Sequence, residues 1–84
     1  VVIGTGAGGA TAAARLAESG LDVIVVEGGE LVQPSEFDER EGPLFERLYA
    51  DAGLRTTDDL GVAMVQGVTV GGSTTVNWMI MLRT

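Results

Sequence analysis

Gly4-Thr5-Gly6-Ala7-Gly8-Gly9, directly after the apolar residues Val1-Val2-Ile3, constrains this chain more than any other stretch. Gly4, Gly6 and Gly9 fill the positions of G-x-G-x-x-G. The first lets the chain turn sharply out of a strand, the second lets backbone approach a pyrophosphate, and the third lets a following helix pack closely on that strand. The alanine-rich run that follows predicts a helix over 10–19, with Ala13, Leu16 and Ala17 at helical spacing and Gly20 as its stop. Residues 21–26 then predict a buried parallel strand, and Glu27 stands at its carboxyl end. A carboxylate there can accept two hydrogen bonds from the vicinal hydroxyls of an adenosine ribose, and it repels a 2′-phosphate. Strand, glycine turn, helix, strand and acid in this order make a βαβ dinucleotide fingerprint. The anion is met by free N–H groups at the helix N-terminus, so no basic side chain is required.

With 84 residues the chain allows one small domain at most. A domain of about 60 residues buries only roughly 60% of its unfolded surface, and two parallel strands do not make a self-sufficient sheet. The chain therefore reads as the amino-terminal piece of a longer protein, an incomplete α/β domain. Its formal net charge is -7, from five arginines and twelve acids. That balance argues against nucleic acid as a partner, because phosphate-backbone binding needs a basic face. Nine of the acids lie between Glu30 and Asp59 and read as a solvated acidic surface. There is no cysteine to build a disulfide framework and no histidine for acid–base work near neutral pH. No apolar run approaches the roughly 20 residues of a membrane span.

Three zones follow one another: residues 1–29 as the βαβ unit, 30–61 as an acidic connecting excursion, and 62–84 as a second glycine-bearing segment. In the middle zone Pro34 and Gly42-Pro43 act as breakers, and a helix over 44–52 would put Leu44, Leu48 and Ala52 on one face. Residues 62–65 predict a short extended piece. Beyond them Gly71-Gly72-Ser73-Thr74 forms a second glycine turn running into Val76-Asn77-Trp78. Its glycines let backbone approach a flat ring or a ribityl chain, while Ser73, Thr74 and Asn77 offer hydroxyl and amide groups for hydroxyls and phosphate oxygens. Trp78 reads as core and Arg83 as a surface or partner-domain contact.

The run Gly67–Arg83 closely resembles the second signature of the glucose–methanol–choline (GMC) oxidoreductases, a Gly-Gly-Ser-Ser/Thr turn followed by an Asn and, further on, an Arg. Val26-Glu27-Gly28-Gly29 is similar to the acid-plus-glycines ending of that family's second strand. Asn77-Trp78 and the 34–37 region look most like the branch with bacterial choline-dehydrogenase-like and long-chain-alcohol-oxidising members. The resemblance implies a Rossmann-like βαβ unit, part of a larger doubly wound FAD-binding domain. It implies FAD contacts at Gly4, Gly6, Ala7, Gly8, Gly9, Glu27, Gly72, Ser73 and Asn77. It also implies oxidation of an alcohol to a carbonyl, with hydride passing to flavin N5 and a base taking the hydroxyl proton. In the family that base is a histidine near the carboxyl end, so no catalytic residue and no substrate domain fall within these 84 positions.

Two departures from the family pattern matter. Val68 stands where a basic residue is common. Val76 stands where some members carry a histidine that attaches the flavin covalently, so the FAD here is expected to be held non-covalently. Two other readings stay open from sequence: another two-dinucleotide flavoprotein, such as an NAD(P)H-dependent reductase or monooxygenase, and a truncated nucleotide-binding module that catalyses nothing.

Overall fold

The computed structural model describes residues 1–38, 40–77 and 79. It is a small α/β arrangement built on a two-stranded parallel sheet, in which β1 (Val2–Ile3) pairs with β2 (Val25–Val26) in the register Val2 to Val25 and Ile3 to Val26. The crossover between them is α1 (Ala7–Glu18). The expected strand over 21–26 is thus shorter than predicted. β1 offers partners only where Val2 N–H donates to the Ile24 carbonyl and Gly4 N–H to that of Val26, and no ladder forms for residues 21–23. Nor is the strand buried, because Ile24 is 65% exposed and Val26 52%. Its apolar character suits a sheet covered on both faces, and the described residues do not supply that cover.

Helix α1 begins three residues earlier than the sequence suggests, at Ala7, with Gly6 as N-cap and the first helical bond running from Ala10 N–H to the Gly6 carbonyl. Its end follows the expected chemistry. Gly20, at φ +86°, donates to the Ala17 carbonyl while Leu21 N–H donates to that of Leu16, the paired bonds of a Schellman stop. Glycine is needed there because side chains resist that left-handed conformation. The predicted apolar face is only partly used. Ala13 is half-buried, Leu16 is exposed, and no residue of the helix is fully buried.

The excursion carries a turn of 3-10 helix at Pro34–Glu36 and then α2 (Glu41–Leu48). Gly42-Pro43, expected to break structure, lies inside the first turn of α2. Proline is tolerated there because the N–H it lacks would have had no intrahelical partner. The helix expected to reach Ala52 stops at Leu48. Tyr49 turns extended, and Asp51 and Ala52 have φ of 52° and 51°, so Ala52 leaves the face of Leu44 and Leu48. Residues 62–65 form no strand; Ala63 makes a single bridge to Thr56.

The best-packed region forms around residues 66–70, which lie between two other segments. On one side Val70 N–H donates to the Glu30 carbonyl; on the other Ala50 N–H donates to that of Gln66 and Val68 N–H to that of Leu48. On or beside these strips sit the buried residues Val32, Leu48, Ala50 and Thr69. Burial of an aliphatic side chain such as Val32 or Leu48 contributes roughly 1.5–3 kcal/mol. Thr69 is 1% exposed, and its hydroxyl donates to the Glu30 carbonyl at 2.7 Å, which satisfies the buried polar group. Arg47 of α2 joins Glu30 at 2.6 Å and Glu36 at 3.0 Å across the outside. These bonds raise the guanidinium pKa, chiefly through Glu30, but at an exposed site such pairs mainly orient the segments.

Glycine is required where this central strip passes the end of β2. A Cβ on Gly29 would stand 2.4 Å from the Thr69 Cα and backbone N, whereas one on Gly28 would meet nothing within 4 Å. In the full-length protein, Gly29→Ala is therefore expected to lower stability by about 1–3 kcal/mol, the scale of overpacking. Gly28→Ala is expected to change it little. Chemical denaturation of both variants checks this, and equal midpoints for the two would contradict the close approach.

Candidate functional site

The first glycine turn, the end of β2 and the second glycine turn surround one open cavity of about 1020 Å³. Gly4, Gly6 and Ala7 line it from the start of α1, Glu27 from the end of β2, and Gly72, Ser73 and Asn77 from the second turn. Seven of the nine residues singled out from the sequence thus share a cavity, although some are 73 positions apart. Gly8 and Gly9 do not line it. Gly8 is exposed on α1, and Gly9 faces inward, where a Cβ would lie 2.1 Å from the Gly4 carbonyl oxygen. Gly9 therefore does what the third glycine of the fingerprint was expected to do, letting helix and strand touch. Trp78 and Arg83 lie outside the described residues.

Each glycine of the first turn has a distinct constraint. Gly4 has φ +87°, the left-handed turn out of β1. Gly6 has an ordinary φ of -63°, so nothing in its conformation requires glycine. A Cβ built there meets nothing within 4 Å, and the residue lines the cavity. Its missing side chain leaves room for a ligand against the backbone. Just beyond it, the first N–H groups of α1 have no side-chain cap, and the positive end of the helix opens beside the same space. Among the described residues, Glu27 is the only charged side chain lining the cavity. Backbone N–H groups and the helix dipole are thus the available partners for a phosphate.

Glu27 is half-buried and held on both oxygens. Its Oε2 accepts from Thr5 N–H at 2.7 Å and from the Thr5 hydroxyl at 2.5 Å, and its Oε1 accepts from Gly29 N–H at 2.8 Å. These donors, the Thr5 hydroxyl first and the Gly29 N–H next, lower its pKa from 4.5 to about 2. A carboxylate has about four lone-pair sites. Three are occupied, and the remaining one is on Oε1. The group is thus a fixed anion whose Oε1 keeps acceptor capacity.

The second turn is held open by its own side chains. Gly71 and Gly72 have φ of 90° and 55°, and the Thr74 and Thr75 hydroxyls donate back to the Gly71 and Val70 carbonyls at 2.5 and 2.8 Å. Ser73 Oγ accepts from Gly67 N–H at 3.0 Å, which leaves its hydroxyl proton for another acceptor. Asn77 donates through Nδ2 to the Thr74 carbonyl and accepts on Oδ1 from Met79 N–H, at 2.5 and 2.6 Å, so part of its capacity is spent on the turn. The two turns meet. A Cβ on Gly72 would lie 3.2 Å from the Gly6 Cα, and Gly71 N–H donates to the Thr5 hydroxyl at 2.8 Å.

Sequence reasoning passed over Thr5 and Gln66. Thr5 occupies a free position of the motif, and its role depends on groups 22 and 66 residues away. Gln66 lines the cavity and is held by Arg55, whose Nη1 donates to its Oε1 at 2.7 Å. No local pattern marks either residue.

An uncapped helix start, a glycine window and a fixed acid around one cavity have the form of a dinucleotide cradle. The comparisons say which kind. The FAD binding domain family matches residues 1–36, and the GMC oxidoreductase family matches residues 45–84. Over all 84 residues the chain is 43% identical to the long-chain-alcohol oxidase FAO3 of Arabidopsis thaliana and 39% identical to FAO4A of the same plant, covering 11% and 12% of those proteins. It is 44% identical over 82 residues, 92% of this chain, to an uncharacterized GMC-type oxidoreductase of Mycobacterium tuberculosis (strain CDC 1551 / Oshkosh), covering 13% of that protein. No solved structure matches. The chain belongs to the GMC oxidoreductase family, its cofactor is FAD, and it spans about an eighth of the length of the relatives it matches.

Two outcomes test the geometry in the full-length protein. Gly6→Val should fold with near-normal stability, since its side chain meets open space, yet retain little flavin. Soluble protein with a normal flavin-to-protein absorbance ratio would contradict the window. Glu27, with its pKa lowered on folding, contributes stability that is whole above pH 4.5 and is lost as pH falls through about 2. The difference in unfolding midpoint between the unaltered protein and Glu27→Gln should accordingly be flat above pH 4.5 and shrink only below it. A difference already falling between pH 7 and 5 would contradict the hydrogen-bonded anion.

Proposed function

We propose that this chain is the FAD cradle of an enzyme that oxidises an alcohol to a carbonyl compound, and that residues 1–29, 30–61 and 62–84 are successive parts of one incomplete FAD-binding domain. On this reading the parallel pair and its crossover helix are the Rossmann-like start of a larger doubly wound sheet. Exposed apolar strand faces favour this, since such faces suit a sheet with further cover. The observation that carries the functional reading is the shared cavity, in which two glycine turns and a strand-end acid converge as an adenine dinucleotide requires.

In this reading the N–H groups at the start of α1 take the pyrophosphate, with Gly4, Gly6 and Ala7 at contact distance and Gly8 and Gly9 shaping the turn behind them. Glu27 accepts a ribose hydroxyl on the free lone pair of Oε1. Gly72 brings backbone against the flavin half, while Ser73 donates its hydroxyl proton and Asn77 its spare amide hydrogen. FAD supplies the hydride acceptor that alcohol oxidation needs. The accompanying proton needs a positioned base, and no histidine among these 84 residues supplies it. The protein's share visible here is placement and electrostatics, with the substrate alcohol and its base met elsewhere in the full-length enzyme.

The names of the plant relatives make long-chain alcohols the first substrates to try. The test is to purify the full-length protein, precipitate it with acid and assay flavin reduction anaerobically. No flavin is expected to remain with the pellet on a peptide within residues 1–84, because neither Cys nor His is present here to form a covalent link and Val76 has no nucleophilic atom. Bleaching of the flavin by an alcohol is expected as well. A flavin reduced by NAD(P)H and by no alcohol would replace this reading with that of a reductase.

A further inference from the structure

The residue between the first two glycines of a G-x-G-x-x-G turn is nominally free, yet Thr5 makes more long-range bonds than any glycine beside it. Its backbone N–H and its hydroxyl both donate to Glu27 Oε2, at 2.7 and 2.5 Å, and the same hydroxyl oxygen accepts from Gly71 N–H at 2.8 Å. A hydroxyl has one proton and two lone pairs. The proton is committed to the acid and a lone pair to the second turn, so one side chain joins segments 22 and 66 positions away.

Two consequences bear on the cavity. By filling Oε2, Thr5 leaves Oε1, held from the other side by Gly29 N–H at 2.8 Å, as the oxygen able to accept from a ligand. By anchoring Gly71, which sits at φ +90°, it fixes the turn that brings Gly72 against Gly6. The groups that would meet the two ends of the dinucleotide therefore share one hydroxyl as a common reference. A methyl group in its place would leave Gly71 N–H without its acceptor and Glu27 without its shortest donor.

We propose that Thr5 is a positioning residue of the FAD site, its hydroxyl setting Glu27 and the second glycine turn into one preformed cradle. This rests on the FAD reading above. A residue acting only as local packing would depend on its methyl group; one acting through this bridge depends on its hydroxyl and on Glu27.

The experiment measures FAD affinity of the refolded or deflavinated full-length protein by flavin fluorescence. It compares Thr5→Val, Thr5→Ala and Thr5→Ser, each alone and combined with Glu27→Gln. Valine keeps the shape and loses the hydroxyl, alanine loses both, and serine keeps the hydroxyl alone. Thr5→Val and Thr5→Ala should each weaken FAD by at least about tenfold, the scale of a lost hydrogen bond to a charged partner, while Thr5→Ser stays within roughly threefold. In the Glu27→Gln background the valine change should add less than about threefold, since its main partner is already altered. Unchanged affinity in Thr5→Ala would overturn the proposal, as would a serine variant as weak as the alanine one or a full valine effect without Glu27. Unaltered protein that binds no FAD would instead reject the reading beneath it, so the two failures are distinguishable.

Discussion

The hydrogen-bonded cluster of Thr5, Glu27, Gly29 and Gly71 is the constraint on which the arrangement depends, because its side-chain bonds join the first turn, the end of β2 and the second turn at one point. A half-buried carboxylate is costly to hold unless its oxygens are satisfied. Here three donors satisfy it, and the resulting low pKa is the thermodynamic statement of that fit. The acid is therefore fixed before any ligand arrives. Donors from segments so far apart in the chain also make its ionised state a report on correct tertiary assembly.

Three close approaches bring backbone segments together around the cavity. Gly9 against Gly4, Gly29 against Thr69 and Gly67 against Gly72 would each place a Cβ under 3 Å from main-chain atoms. None of the three glycines has a positive φ, so space rather than conformation demands them. At Gly4, Gly71 and Gly72 the turn itself requires the left-handed region. The two kinds of glycine do complementary work. The first lets segments touch, and the second aims their N–H groups.

The acidic excursion is more than a connection. Its α2 and the strip 66–70 supply the best-packed part of the described residues, while the βαβ unit, where the dinucleotide would sit, leaves Ile3, Ile24 and Val26 open to solvent. The better-packed segments and the first glycine turn are thus different parts of the chain, tied through the bond from Gly71 N–H to the Thr5 hydroxyl and the close approach of Gly29 to Thr69. Phe45 and Tyr49, stacked at 4.5 Å, extend that packing from α2 onto the strip.

By itself the sequence determined the local elements and their chemistry: the order of strand, turn, helix and acid, the Gly20 stop, and the glycine turn at 71–72. These follow from constraints within a few residues, such as a required positive φ or an apolar run of strand length. The same reasoning misjudged α2, because Gly42-Pro43 break a helix interior but sit comfortably in a first turn, and because the chain leaves the helix where Tyr49 bridges to Gly67, a partner 18 residues on. It also expected buried strands whose faces the described residues leave open. Only the tertiary structure decided that Gly8 stays outside the cavity, that Glu27 is held on both oxygens by Thr5 and Gly29, and that Thr5 links both turns. Those properties depend on which atoms meet across 20 to 70 residues of chain. Hydrogen bonds and steric contacts act over a few ångströms in space, so a motif can specify the groups it brings without specifying the partners they find.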